Sequence, residues 1–125
     1  MGEIDDAIAA YERGDYGPAR KAFERATAAG DALAARYLAE MHQFGRGVKQ
    51  NDRQAATYFR RAADAGDLSS QLSLAGLYEN GKGIRKNYPA AADWYRRAAD
   101  QGSAVAMTRL AVLRRDGLDT RADLS

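Results

Sequence analysis

Residues 31–66 and 67–102 are one pattern written twice at a spacing of 36. Set one above the other, they agree at 14 of 36 positions. The agreements fall where packing needs them: Leu38/Leu74, Ala39/Ala75, Gly45/Gly81, Gly47/Gly83, Ala55/Ala91, Ala62/Ala98, Ala63/Ala99 and Gly66/Gly102. Further pairs keep chemical type, namely Met41/Leu77, His42/Tyr78, Val48/Ile84, Tyr58/Trp94 and Phe59/Tyr95. A repeat of this length marks stacked supersecondary units, none of which can bury its apolar face alone.

Each unit reads as two helices. Ala34, Leu38, Ala39 and the Met41–His42 pair share one helical face, and Gly45-Arg46-Gly47 stops that helix because glycine accepts the left-handed conformation of a helix end. Val48 is expected to anchor the loop, and Asn51 or Asp52 to cap the next helix. That helix buries Ala55, Tyr58, Phe59, Ala62 and Ala63, and Gly66 ends it before Asp67 caps its successor. The second copy repeats the scheme through Trp94 and Tyr95. Alanine at the repeated positions lets backbones approach closely, while the aromatic residues fill the space between hairpins. The expected fold is all-α, a right-handed α-solenoid of antiparallel helix pairs with about three and a half repeats. It forms one domain over 1–125: a short unit at 1–30, repeats at 31–66 and 67–102, and a half-repeat with tail at 103–125.

The ends depart from the pattern, as terminal units of a stack do. At the front, Ile4, Ala7, Ile8 and Tyr11 make one helix and Gly14-Asp15-Tyr16 a tight turn. Ala19, Ala22, Phe23 and Ala26 then sit 36 residues before Ala55, Tyr58, Phe59 and Ala62. At the back, Ala106, Leu110, Ala111, Leu113 and Gly117 keep the register of a first helix with no partner following, and residues 117–125 read as a loose tail.

Composition narrows the function classes. Nineteen basic against 17 acidic side chains leave a net charge of +2, too small an excess to argue for nucleic acid. No cysteine is present, which removes disulfides and thiolate chemistry. One histidine and no cysteine argue against a transition-metal site. No cofactor is expected. The first fifteen residues are acidic and lack a long apolar run, so neither a leader nor a membrane insertion is expected. A complete chain would be cytoplasmic, and one that had lost a leader periplasmic.

The third unit, with Leu74, Tyr78, Gly81, Gly83, Ile84, Asn87, Ala91, Trp94, Tyr95, Ala98, Ala99 and Gly102, closely resembles the Sel1-like repeat. The second matches at the equivalent positions from Ala34 to Gly66, and the front segment resembles a shorter, tetratricopeptide-type unit. Asn51 and Asn87 stand where the family usually has aspartate, Ala39 and Ala75 where it has glycine, and His42 where it has tyrosine. The resemblance implies a non-enzymatic scaffold or adaptor that binds a protein or peptide along the concave face lined by first helices. It places Tyr11, Arg36, Glu40, Gln43, Phe44, Leu72, Glu79, Thr108, Val112 and Arg115 on that face, with Gly76 and Asn80 beside them. A monomer is expected, and the unpaired last helix is where self-association would occur.

The rival readings are a purely architectural, self-associating element and a hydrolase of cell-envelope or β-lactam-like substrates. The hydrolase reading lacks a placed nucleophile and base. His42 takes the slot of Tyr78 and is expected to be packed, while Ser69, Ser70 and Ser73 have no base argued beside them. Residues 76–82 match the spacing of a phosphate loop, but Gly83 replaces the required hydroxyl and the segment runs from helix to loop. The doublets Arg60-Arg61 and Arg96-Arg97 are expected on a solvated face, with Asp93 pairing Arg97.

Overall fold

A computed structural model of the chain describes residues 2–120. Among these residues seven helices follow one another: α1 Glu3–Glu12, α2 Tyr16–Ala28, α3 Ala32–Phe44, α4 Asp52–Asp64, α5 Leu68–Asn80, α6 Tyr88–Asp100 and α7 Ala104–Arg115. Among the described residues no strand occurs. Each helix packs chiefly on the helices before and after it, which is the contact pattern of an all-α repeat solenoid.

The local signals act where the repeat puts them. Gly45 and Gly81 both close their helices at φ 66°, and the next N–H bonds back to the carbonyls of Met41 and Leu77. The loops end when the Asn51 and Asn87 amides each donate a 2.9 Å hydrogen bond to the carbonyls of His42 and Tyr78. Of the two candidate caps it is Asn51 that serves, its side chain accepting from the Gln54 N–H; Asn87 does the same for Ala90. Asp67 caps α5, and Ser103 caps α7.

Phe23, Phe59 and Tyr95 occupy the same register position in α2, α4 and α6, and all three are buried. Burying such a ring contributes about 2–3 kcal/mol. Two apolar clusters result. The first joins α1, α2 and α3; the second runs from Ala39 through α4, α5 and α6 to Leu113, and the half-buried Tyr58 touches both. The stack therefore has one apolar seam.

The last described helix is covered on one side alone. Ala39 and Ala75 are fully buried, whereas Ala111, one repeat on, is exposed. Val105 and Met107 on the same helix are 62% and 49% exposed. Ala106, Leu110 and Leu113 are buried against the preceding pair, so α7 covers the core on one side and stays open on the other. The half of the tail from 121 lies outside the described residues.

Candidate interaction face

The expected face begins at the end of α1. Tyr11 is buried, in edge contact with the rings of Tyr16, Phe23 and Tyr37. Its phenol oxygen accepts a 2.8 Å hydrogen bond from Nη1 of Arg46, in the loop after α3. Burial pushes the phenol pKa up, against the lowering effect of Arg46. The Arg46 guanidinium also lies 4.8 Å from the ring centroid of Phe44, which is 57% exposed. No carboxylate lies within ion-pair distance of Arg46 among the described residues. An exposed ring and a positioned cation are thus held side by side.

Arg46 was not among the residues that the sequence assigned to this face. The signal was local: Phe44 and Arg46 are two apart, while the next repeat has Asn80 and Lys82, which cannot form the same pair.

Arg36 and Glu40 come together on α3, 3.9 Å apart, both half-buried. Arg36 also lies 3.1 Å from Asp67, the residue that caps α5, and its guanidinium sits over Tyr37. Glu40 has its carboxyl pKa raised by loss of water, which outweighs Arg36 and Arg46. Gln43 is half-buried. Leu72 is half-buried and packs on the second apolar cluster.

Glu79 is held within the stack. Tyr95 of α6 donates a 2.8 Å hydrogen bond to its Oε1, and Arg109 of α7 donates to its Oε2. Burial, and then the bond to Glu79, pushes the Tyr95 phenol up to about 12. This carboxylate joins three helices. Thr108 is exposed and its hydroxyl donates to the Ala104 carbonyl; Val112 is half-buried; Arg115 is exposed beside Asp116. The structure therefore brings Tyr11 and Phe44 together through Arg46, and Arg36 with Glu40, while Glu79 serves the joint of α5, α6 and α7.

The remaining constellations take other roles. His42 stacks on Tyr58 at 5.6 Å with its Nδ1 buried and without a hydrogen-bond partner among the described residues, and burial lowers its pKa. The Ser70 hydroxyl donates to Asp67 at 2.6 Å within the cap. Residues 76–80 are helix and Gly81 ends it, so the strand–loop–helix order of a phosphate loop does not arise. Asp93 pairs with Arg96 at 2.8 Å and not with Arg97; Arg97 lies 4.4 Å over the Trp94 ring, where stacking holds it away. Among the described residues no group of three or more His, Cys, Asp or Glu is placed to hold a metal ion, and no helix is long and apolar enough to cross a membrane.

Comparison with known proteins bears on this geometry. The sequence profile of the Sel1 repeat matches residues 32–67, 68–103 and 104–125. A protective antigen of uropathogenic Escherichia coli strains, displaying an SLR fold, is similar over 94% of this chain at 29% identity and a TM-score of 0.86. A Sel1 repeat protein from Oxalobacter formigenes is similar over 94% of the chain at 30% identity, also at 0.86. The chain spans 26% and 48% of the lengths of those two proteins. The cysteine rich protein B of Helicobacter pylori shares the fold, at 23% identity over 86% of this chain and 91% of its own, with a TM-score of 0.72. A search of curated proteins gave no significant match.

Proposed function

The chain belongs to the Sel1 repeat family, and from that premise we propose that it is a non-enzymatic scaffold holding a peptide or protein segment along the first helices of its stack. Sel1 repeat proteins are generally protein-interaction scaffolds. The observation that carries the finer reading is Phe44, an exposed ring at the end of α3 held beside an Arg46 guanidinium that has no carboxylate within ion-pair distance among the described residues. Aromatic and arginine side chains dominate binding energy where they meet a partner, and here both are fixed before it arrives. The two ends of this face differ in what they offer. Near Tyr11 and Phe44 it presents an aromatic ring and a cation with no ion pair among the described residues; near Glu79 its charges are already matched. The proposed docking end is the first. The scaffold is taken to act as a monomer.

The test is site-specific crosslinking. A photoreactive phenylalanine analogue placed at Phe44 is expected to yield discrete adducts with a partner from lysate, and one at the exposed Lys21 of α2 is expected to yield none. Equal adducts at both sites, or none at Phe44, would remove this face from the reading.

A further inference from the structure

A second surface lies on the side of the stack formed by α4, α6 and the loop after α5. Two cavities, of about 310 and 330 Å³, meet there and share Arg60. The first has an apolar floor of Ala56 and Ile84 with Arg53 and Arg60 at its edge. The second is polar, bounded by Tyr78, Trp94, Arg97 and Asp93. Together they form a trench with three guanidinium groups and one carboxylate, and that carboxylate is held by Arg96 at 2.8 Å.

Two of the arginines are positioned by aromatic groups. Arg60 donates a 2.9 Å hydrogen bond to the Tyr78 hydroxyl, and its only carboxylate among the described residues, Asp64, is 3.9 Å away. Arg97 stacks on Trp94 and has no ion pair among the described residues. Held this way, a guanidinium keeps free N–H groups for a new acceptor and loses little rotamer entropy in meeting one.

The charge is particular to this junction. One repeat earlier, the positions of Arg53 and Arg60 are Gly17 and Glu24, and Tyr16 stands where Asp52 does. The repeat alone would reproduce the surface at both junctions, and it does not.

We propose that this trench binds a partner segment in which an aliphatic side chain is flanked by carboxylates. The aliphatic group would sit on Ala56 and Ile84, with its acidic neighbours on Arg53 and Arg60 to one side and Arg97 to the other. A bare anion would use the arginines and leave the apolar floor empty. This surface is separate from the Phe44 face, and the proposal does not depend on that one.

Fluorescence anisotropy tests it, using the intact chain and a fluorescein-labelled peptide of repeated Glu-Glu-Leu. Saturable binding is expected at low salt, weakening as salt is added. It should fall at least tenfold in Arg60→Glu/Arg97→Glu and in Thr57→Trp, whose indole would fill the apolar seat, and stay unchanged in Phe44→Ala. The matching Lys-Lys-Leu peptide should not bind. If charge reversal costs helicity by circular dichroism, Arg60→Gln/Arg97→Gln and Thr57→Trp carry the test. No saturable binding of the acidic peptide, or equal binding by these variants, would overturn the proposal. So would displacement by sodium phosphate at equal concentration, or tighter binding of oligothymidylate, since either would mean that the apolar seat is idle.

Discussion

Arg46 donates a 2.8 Å hydrogen bond to the phenol of Tyr11, 35 residues earlier in the chain, and thereby ties the loop after α3 to the last turn of α1. The bond fixes the guanidinium that lies against Phe44, so the first two units present a shaped corner. Tyr11→Phe removes the acceptor and leaves the ring packing. Losing that bond destabilises the fold, and urea unfolding should show a lowered midpoint with an unchanged slope. An unchanged midpoint would mean that the two side chains are not bonded in solution.

Arg36 carries a structural duty besides any role at the face. It lies 3.1 Å from Asp67, whose carboxylate caps α5 through the Ser70 amide and hydroxyl. Arg36→Glu sets two carboxylates together at that cap. It should lower stability by about 1–2 kcal/mol, read from the denaturation midpoint, so lost binding in this variant would not by itself indicate a contact. Arg36→Gln should cost less than half as much. Equal stability of Arg36→Glu and the parent would contradict the placement.

Gly83 and Gly66 both have positive φ, at 75° and 97°. A Cβ at residue 83 would run into the backbone of Asp52, whereas one at residue 66 would meet open space. Gly66→Ala should therefore cost only the left-handed strain, about 1–2 kcal/mol. Gly83→Ala should cost that plus a further overpacking loss of about 1–3 kcal/mol. Thermal melts of the two variants check the order, and equal melting temperatures would refute it.

The repeat also sets a matched pair on successive first helices. Ala75→Leu forces three methyl-sized groups into a filled seam and should cost about 1–3 kcal/mol or more. Ala111→Leu, in the same register on α7, meets solvent and should be close to neutral. Sedimentation of Ala111→Leu at several concentrations would also show whether that open side pairs two copies.

Tyr95 makes stability depend on alkaline pH. Its ordinary value is 10.0, and burial with the hydrogen bond to Glu79 takes it up to about 12 in the fold. The folded state thus favours the neutral phenol, so this contribution is intact below pH 10 and is lost as pH rises from about 10 to about 12. Arg109 stays charged across that range. Tyr95→Phe should unfold more easily at pH 7, having lost the bond, and its stability should fall less steeply between pH 10 and 12. Parallel curves for the two proteins would count against a perturbed phenol.

How much of this was legible in the sequence follows from distance along the chain. Helix ends, caps and the buried ring at Phe23, Phe59 and Tyr95 have signals within a few residues of themselves and recur every 36, so they read off directly. The ties between units do not. Arg46 to Tyr11 and Arg109 to Glu79 span 35 and 30 residues and occur once each, with no second copy to reveal them. The family resemblance placed Glu79 on the open face, but a tyrosine on α6 and an arginine on α7 converge on it from outside its own helix. Asp93 had partners in reach at both i+3 and i+4, and stacking of Arg97 on Trp94 decided between them.

The central claim is that the exposed ring of Phe44 is a binding contact of a folded scaffold. Calorimetric titration of a crosslink-identified partner segment into the parent chain and into Phe44→Ala, with helicity and melting checked for both, tests it most directly. The account predicts affinity at least tenfold weaker in Phe44→Ala with folding unchanged. Equal affinity in the two proteins would contradict it.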